Sequence, residues 1–261
     1  MSGPPQRVGD LFDLSGKTAL VTGGSRGLGL DTALALSAAG AAVAITGRRL
    51  SWLTAAAGEI RGRGFACHTI ECDVSDAAQA ARAVRDTAEA LGGLDILVNN
   101  AGMTIRKPLL EQTDADWQSV IDTNLTSCFR MSREAARLMI RQRFGRIIMI
   151  SSVNATIARP TLVPYTAAKH GLHGLMRSLA VELAPEGITV NAIAPGYFPT
   201  EANAGIRADP KFYEAVCKRT PAGRWGDLAE LGAAAVFLAS PAAAYCTGSV
   251  VTVDGGLLAT F

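Results

Sequence analysis

The residues best suited to proton transfer are a tyrosine and a lysine four positions apart. Tyr165 and Lys169 lie in a predicted helix, and this spacing places both side chains on one helix face. A free phenol is a poor base at neutral pH, but an adjacent ammonium group stabilises the phenolate. Ser152 ends the preceding predicted strand, where its hydroxyl can bind a substrate oxygen. These residues predict a general acid/base site for a carbonyl or an alcohol.

Asn124 is a further candidate catalytic residue because it is an amide inside an apolar helical stretch. A buried amide must be hydrogen-bonded. Its side chain either supports a water-mediated proton relay to Lys169 or is a structural amide satisfied by its neighbours.

A glycine-rich turn joins the first predicted strand to the following helix. It runs from Thr22 to Gly29 with the sequence T-G-G-S-R-G-L-G. Glycines let the backbone approach a pyrophosphate, and the helix N-terminus supplies N–H donors and positive dipole. The turn therefore predicts a dinucleotide site, with contacts from Gly23, Ser25, Arg26, Gly27, Leu28 and Gly29.

The choice between NAD and NADP depends on the end of the second predicted strand. An NAD site places a carboxylate there to bind the ribose 2′-hydroxyl. Gly47 occupies that place, and Arg48 follows it. A guanidinium fork suits a 2′-phosphate, and Arg26 can close on the same group. We therefore predict NADP(H); the alternative is that the arginines stack on adenine or extend into solvent.

Three later strand ends complete the predicted cofactor site. Asp73 and Val74 follow the third strand, where they can contact adenine. The N-N-A-G motif at 99–102 combines amides that can brace the sheet with small residues that allow close approach. A P-G-Y-F-P-T turn at 195–200 can hold the nicotinamide carboxamide. The residues assigned here, besides Asp73 and Val74, are Asn99, Ala101, Gly102, Tyr165, Lys169, Pro195, Gly196, Phe198 and Thr200.

The elements that must position these residues alternate between strand and helix from residue 17 onward. Nearly continuous apolar runs predict buried strands at 17–22, 42–46, 66–72, 96–98, 146–150, 189–193 and 249–253. Helical patterns cover 28–39, 50–61, 76–90, 114–141, 164–184 and 227–239. This alternation predicts one α/β domain, a doubly wound parallel sheet of about seven strands with helices on both faces.

Composition excludes several classes of protein. The 261 residues include 49% hydrophobic and 18% charged residues and carry a net charge of +2 without a basic block, so no nucleic-acid partner is expected. No apolar run approaches the ~20 residues of a membrane helix. Residues 1–10 lack the apolar core of a signal peptide, so we expect a mobile lead-in to a cytoplasmic protein. The five cysteines form no C-x-x-C pair, which favours reduced thiols over a zinc site or redox switch.

The order of these motifs along residues 11–261 resembles the short-chain dehydrogenase/reductase family. The resemblance implies a Rossmann fold and hydride transfer between NADP(H) and a carbonyl or secondary alcohol. It also implies that Asn124, Ser152, Tyr165 and Lys169 form the catalytic tetrad, that no metal takes part, and that the chain assembles as a homotetramer. A protein that only senses NADPH would lack the tyrosine or the lysine, and this chain has both.

Four further segments resemble the sugar-acid dehydrogenases of that family: 10–17, 194–201, 219–227 and 253–259. A keto-sugar acid brings a carboxylate, for which arginine is the natural partner. We expect Arg106, Ser152, Arg159, Tyr165 and Tyr197 to bind such a substrate; a structural ion pair is the alternative for Arg106. The related enzymes carry two adjacent arginines where this chain has Ile105 and Arg106. The rival substrate class is a 3-oxoacyl group or a simple ketone or polyol.

The segment 199–226 interrupts the alternation between the last two strands. An insertion there lies over the carboxyl ends of the strands, where ligands bind in such sheets. We predict a substrate loop or lid; a surface helical hairpin without a catalytic role is the alternative.

Overall fold

Seven short apolar runs form one fully parallel β-sheet in the computed structural model, which describes residues 7–260. The strands are β1 (Thr18–Val21), β2 (Ala42–Gly47), β3 (Cys67–Glu71), β4 (Ile96–Asn99), β5 (Gly145–Ile150), β6 (Ile188–Pro195) and β7 (Val250–Val253). The predicted strands are confirmed, with ends shifted by one or two residues.

The strands lie in the order β3-β2-β1-β4-β5-β6-β7, as predicted for a doubly wound fold. Leu20 on β1 pairs with Ala44 of β2 on one side and Leu97 of β4 on the other. The chain therefore runs from β1 to β3 at one edge of the sheet. It then crosses back to β4, on the other side of β1, and continues to β7 at the opposite edge. The carboxyl ends on either side of β1 open a crevice at this reversal point.

The α-helices are α1 (Gly27–Ala38), α2 (Leu50–Gly62), α3 (Ala77–Leu91), α4 (Asp114–Ile121), α5 (Ser127–Gln142), α6 (Val163–Leu183), α7 (Ala204–Arg207), α8 (Pro210–Arg219) and α9 (Leu228–Ala239). Their boundaries follow local chemistry. Asp76 caps α3 by accepting from the backbone N–H of Gln79 at 2.8 Å, and Gly92 ends it with a φ of 80°.

Two apolar cores cover the two faces of the sheet. Leu34 of α1, Leu53 of α2 and Leu231 of α9 pack in one core. Met131 of α5 and Leu172 of α6 pack in the other. Successive residues of β1 alternate between these cores, because side chains point to opposite faces of a strand. Both faces are therefore covered, which leaves the strand ends as the place for a site.

The helix predicted over 114–141 is not a uniform α-helix, which corrects the expectation from sequence. A π-helical turn, Asp122–Thr126, joins α4 to α5. In and just after this turn, three side chains donate hydrogen bonds to the backbone carbonyl oxygen four residues earlier. The donors are Asn124 Nδ2 (to Val120 O, 2.9 Å), Ser127 Oγ (to Thr123 O, 2.6 Å) and Cys128 Sγ (to Asn124 O, 3.5 Å). Competition for these acceptors favours the wider turn.

Two segments outside the regular strand–helix alternation can be compared with their predictions. Residues 1–6 of the expected lead-in lie outside the described residues, and Val8–Phe12 form a short 3-10 helix. The segment 199–226 is largely helical, containing a 3-10 turn (Glu201–Asn203), α7 and α8.

Candidate active site

A cavity of about 410 Å³ runs along the carboxyl ends of β1 to β6. All but two of the site residues predicted from sequence line it. Asn99 does not, because its side chain is buried and donates to Ser132 Oγ at 3.0 Å. Arg159 does not line it either, although its hydrogen-bond partner Tyr197 does.

The glycine-rich turn is packed too tightly for a side chain at Gly29. Gly23 has a φ of 62°, in the left-handed region. A Cβ on Gly29 would lie 2.3 Å from Gly23 O, so this position requires glycine. The first turn of α1 starts at Gly27 and presents backbone N–H groups to the cavity. The turn therefore fits the pyrophosphate of a dinucleotide.

The segment after β4 braces this turn. Thr22 Oγ1 accepts from the N–H groups of Asn100 at 2.9 Å and Ala101 at 3.0 Å. The Asn100 side chain donates to Thr22 O at 2.8 Å and Gly23 O at 3.1 Å. The bracing expected of the N-N-A-G amides is thus provided by Asn100 at the turn, while Asn99 bonds the neighbouring helix α5.

The end of β2 supplies no carboxylate of the kind that an NAD site uses, because Gly47 occupies that position. A Cβ at Gly47 would lie 3.2 Å from Ser25 Oγ and 3.5 Å from Leu53 Cδ2. Arg48 lines the cavity, but its side chain is 70% exposed, and its ion-pair partner is Asp73, 3.9 Å away.

Lys169 is held on the cavity wall by the end of β5. It is buried, and its Nζ donates to Ile150 O at 2.7 Å. Its Nζ lies 5.6 Å from the ring centroid of Tyr165, which is half-buried. The predicted helical spacing is therefore realised, with the ammonium beside the phenol.

Ser152 is oriented by a residue that the sequence did not single out. Its Oγ accepts from Asn154 N at 3.1 Å and from Asn154 Nδ2 at 3.2 Å. Two donors on one hydroxyl oxygen leave its hydrogen free to donate. A serine held in this way can stabilise a carbonyl oxygen.

Asn124 is fully buried, and its amide is satisfied by protein atoms. Its Nδ2 donates to Met103 O at 2.8 Å as well as to Val120 O, and its Oδ1 accepts from Met103 N at 3.3 Å. A Cβ on Gly102 would come within 2.8 Å of that Oδ1. Asn124 therefore fixes the segment after the N-N-A-G motif against the π-helical turn.

Two arginines, Arg106 and Arg159, lie close to each other and to Tyr197. Arg106 is exposed in the cavity, and burial of part of its surface together with the charge of Arg159 lowers its pKa. Arg159 donates to Tyr197 Oη and lies 4.9 Å from the Phe212 ring centroid. Neither arginine forms an ion pair with a carboxylate within residues 7–260. Two neighbouring positive charges without a negative partner favour an anion.

The turn after β6 lines the cavity, where the sequence predicts a contact with the nicotinamide. Gly196 packs so tightly that a Cβ there would lie 2.8 Å from Asp254 Cα. Phe198 is buried, and its carbonyl oxygen accepts from Asn203 Nδ2 at 2.6 Å. Asn203 Oδ1 in turn accepts from Thr200 N at 3.0 Å, so the turn is tied to the start of the segment 199–226.

Aromatic contacts attach the rest of that segment to the site. Tyr197 lies 6.0 Å from Phe212 of α8 and 5.3 Å from Trp225, as measured between ring centroids. Tyr213 stacks on Trp225 at 5.6 Å. Ile206 of α7 lines the cavity directly.

Several residues of the site were missed by sequence reasoning. Trp52, Arg49 and Asn154 line the cavity, and the buried His173 contacts the lining residue Ser151 through a 2.8 Å hydrogen bond. Only the nearness of Asn154 to Ser152 gave a signal in the sequence, because the other residues meet their partners through the fold.

Three further observations concern metals, thiols and membranes. Within residues 7–260, no group of three or more His, Cys, Asp or Glu side chains could hold a metal ion. Burial, and secondarily the charge of Asp73, raise the pKa of the Cys72 thiol to about 11. None of the helices in the described part of the chain is long and apolar enough to span a membrane.

Comparison with known proteins agrees with this geometry. Residues 23–258 match a family model described as enoyl-(acyl carrier protein) reductase. The chain is 42% identical to gluconate 5-dehydrogenase of Gluconobacter oxydans, over 95% of this chain and 97% of that protein. It is 39% identical to a 3-oxoacyl-[acyl-carrier-protein] reductase of Synechocystis, over 94% and 98%.

One solved structure is also similar to this chain in both sequence and fold. The crystal structure of a gluconate 5-dehydrogenase from Burkholderia cenocepacia, in complex with NADP and tartrate, is 41% identical. The match has a TM-score of 0.94 and covers 98% of this chain and all of that one. With the parallel sheet, the glycine-rich turn and the Tyr–Lys pair in place, these matches establish that the chain belongs to the short-chain dehydrogenase/reductase family.

Proposed function

We propose that this oxidoreductase uses NADP(H) to interconvert a keto-sugar acid, such as 5-keto-D-gluconate, and the corresponding gluconate. The substrate class rests on Arg106, which lines the cavity near Tyr165, and on the neighbouring Arg159, because neither arginine has a carboxylate partner in the described part of the chain. The Burkholderia relative was crystallised with NADP and with tartrate, a hydroxylated carboxylate. Both support a small acid bearing hydroxyl groups as the substrate.

The chain supplies proton transfer and orientation, and the bound nicotinamide supplies or accepts the hydride. In the reducing direction, Tyr165 donates its phenolic proton to the substrate oxygen while Ser152 donates a hydrogen bond to the same oxygen. Lys169, held by Ile150 O at 2.7 Å, keeps a positive charge beside the phenolate that results. The product is a secondary alcohol, and the oxidising direction reverses each transfer.

Asn124 acts in this scheme as a positioning residue. Its side-chain bonds to Met103 fix the segment from which Arg106 enters the cavity. A water-mediated relay from Asn124 to Lys169 remains a prediction.

The segment 199–226 is proposed to act as a lid over the substrate. Ile206 lines the cavity, and Phe212 contacts both Tyr197 and Arg159. Movement of α8 therefore shifts the residues that face the substrate.

The deciding experiment measures the loss of NADPH absorbance with purified protein and 5-keto-D-gluconate, comparing the wild type with Arg106→Ala and the exposed control Arg141→Ala. Loss of a charge-assisted hydrogen bond predicts that Arg106→Ala raises the KM for the keto acid roughly 10- to 100-fold, with the KM for NADPH unchanged. Arg141→Ala should behave as the wild type. Turnover of an acetoacetyl thioester or a simple ketose, with none of the keto acid, would overturn the sugar-acid proposal.

A further inference from the structure

The adenosine end of the cavity contains a tryptophan in contact with two arginines. Trp52 lies in the first turn of α2 and is half-buried. The guanidinium carbon of Arg26 lies 4.0 Å from its ring centroid, and that of Arg49 lies 4.0 Å from the same centroid. All three residues line the cavity. Contacts this short are in the range of favourable cation–π interactions.

The charges at this end of the cavity are unequally compensated. Arg48 lies near Asp73 and projects into solvent. Arg26 and Arg49 form no ion pair with a carboxylate among residues 7–260. The two arginines that contact Trp52 therefore form a positively charged site that favours an anion. The neighbouring end of β2 adds no negative charge, because Gly47 has no side chain.

We propose that Trp52 is a specificity-determining positioning residue, which holds Arg26 and Arg49 in place for the 2′-phosphate of NADP(H). This inference rests on the proposed use of NADP(H). An exposed arginine loses much side-chain freedom when it binds a ligand, and stacking on a fixed ring removes that freedom beforehand. A phosphate monoester carries a charge of about −2 at neutral pH, which two guanidinium groups can match. Under this proposal Arg26 and Arg49 make the main contacts with the 2′-phosphate, whereas the sequence predicted Arg48 for that role.

The test measures the binding of NADPH and NADH by calorimetry to the wild type, Trp52→Leu and Trp52→Phe. Loss of two cation–π contacts predicts that Trp52→Leu weakens NADPH binding about tenfold and leaves NADH binding within about twofold. Trp52→Phe keeps an aromatic face and should retain most of the NADPH affinity. Leu50→Ala, an exposed position on the same helix, is the matched control. The kcat at saturating NADPH should stay unchanged in the control Leu50→Ala.

A second comparison does not depend on the tryptophan variants folding. Arg49→Gln should weaken NADPH binding more than Arg48→Gln does. A larger effect of Arg48→Gln, an equal loss of both cofactors in Trp52→Leu, or no change in that variant would overturn the role of Trp52. A wild-type protein that binds NADPH and NADH equally would overturn the proposed NADP(H) preference itself, and this inference with it.

Discussion

At the scale of single residues, two groups of the proposed reaction centre are fixed by protein atoms. Lys169 is held by a backbone carbonyl, and Ser152 is held by both nitrogen donors of Asn154. Tyr165 forms no hydrogen bond of its own among the described residues, which leaves its hydroxyl for the substrate.

Tyr165→Phe should therefore abolish turnover and leave NADPH binding nearly intact. The substitution removes only the proton-transferring hydroxyl, so we expect kcat to fall by at least about 100-fold. Steady-state kinetics and NADPH titration measure the two effects separately. Activity above a few per cent of the wild-type value would contradict the assigned role.

The meeting of Ser152, Tyr165 and Lys169 at one cavity could be predicted from sequence, because the tyrosine and lysine lie on one helix and the serine ends the strand just before that helix. The pair Trp52–Arg26 could not be predicted in this way. Arg26 follows β1 and Trp52 follows β2, and their contact depends on how the two strands pair. Arg48 shows the same limit, since its sequence position predicted a phosphate contact but not its exposure or its nearness to Asp73.

At the scale of elements, α8 is attached to the site mainly through Phe212. Phe212→Ala removes the contacts of this helix with Tyr197 and Arg159. We expect the KM for the keto acid to rise about fivefold, because closure of the proposed lid would assemble the substrate side of the cavity. NADPH affinity should not change.

Lys211→Ala is the control for that experiment, because Lys211 is exposed on the same helix. A fall in thermal stability of Phe212→Ala without a change in KM would assign α8 a structural role only. Kinetics and thermal unfolding on the same preparations decide between these outcomes.

The elements themselves were predicted well where apolar runs are continuous. All seven strands were found because burial on both faces requires nearly uninterrupted aliphatic residues. The π-helical turn was missed because its cause is a set of side-chain bonds to carbonyl oxygens, which periodicity does not record. The helices of 199–226 were expected only in the alternative of a helical hairpin; a proline such as Pro210 can mark a loop, but here it occupies the first position of α8.

At the scale of the whole molecule, a buried histidine makes stability depend on pH. His173 accepts or donates the hydrogen bond with Ser151, and burial lowers its pKa, as do the charges of Arg177, His170 and Lys169. The unfolded chain therefore binds a proton more readily than the native one. Stability is full above the ordinary histidine pKa of about 6.5 and is lost as pH falls below it toward the lowered native pKa.

Thermal unfolding at about pH 7.5 and about pH 5.5 checks this expectation. His173→Gln keeps a hydrogen-bonding group near Ser151 but cannot take up the proton. Its melting temperature should fall less on acidification than that of the wild type. Equal losses in the two proteins would place the acid sensitivity elsewhere.

The overall architecture was the most predictable level, since strand and helix alternation allows few other arrangements. The homotetramer and the cytoplasmic location remain predictions. Both concern the surroundings of the chain, and the fold of a single chain does not determine them.

The strand order has a consequence for how the enzyme can change. In the proposed scheme, the 2′-phosphate is recognised at the ends of β1 and β2, whereas the substrate acid is recognised by residues after β4, β5 and β6. No residue proposed for one task takes part in the other. Free-energy changes from substitutions in the two halves should therefore be additive. A substitution that changes the coenzyme preference should then leave the affinity for the substrate unchanged, and the reverse should hold for substitutions on the substrate side.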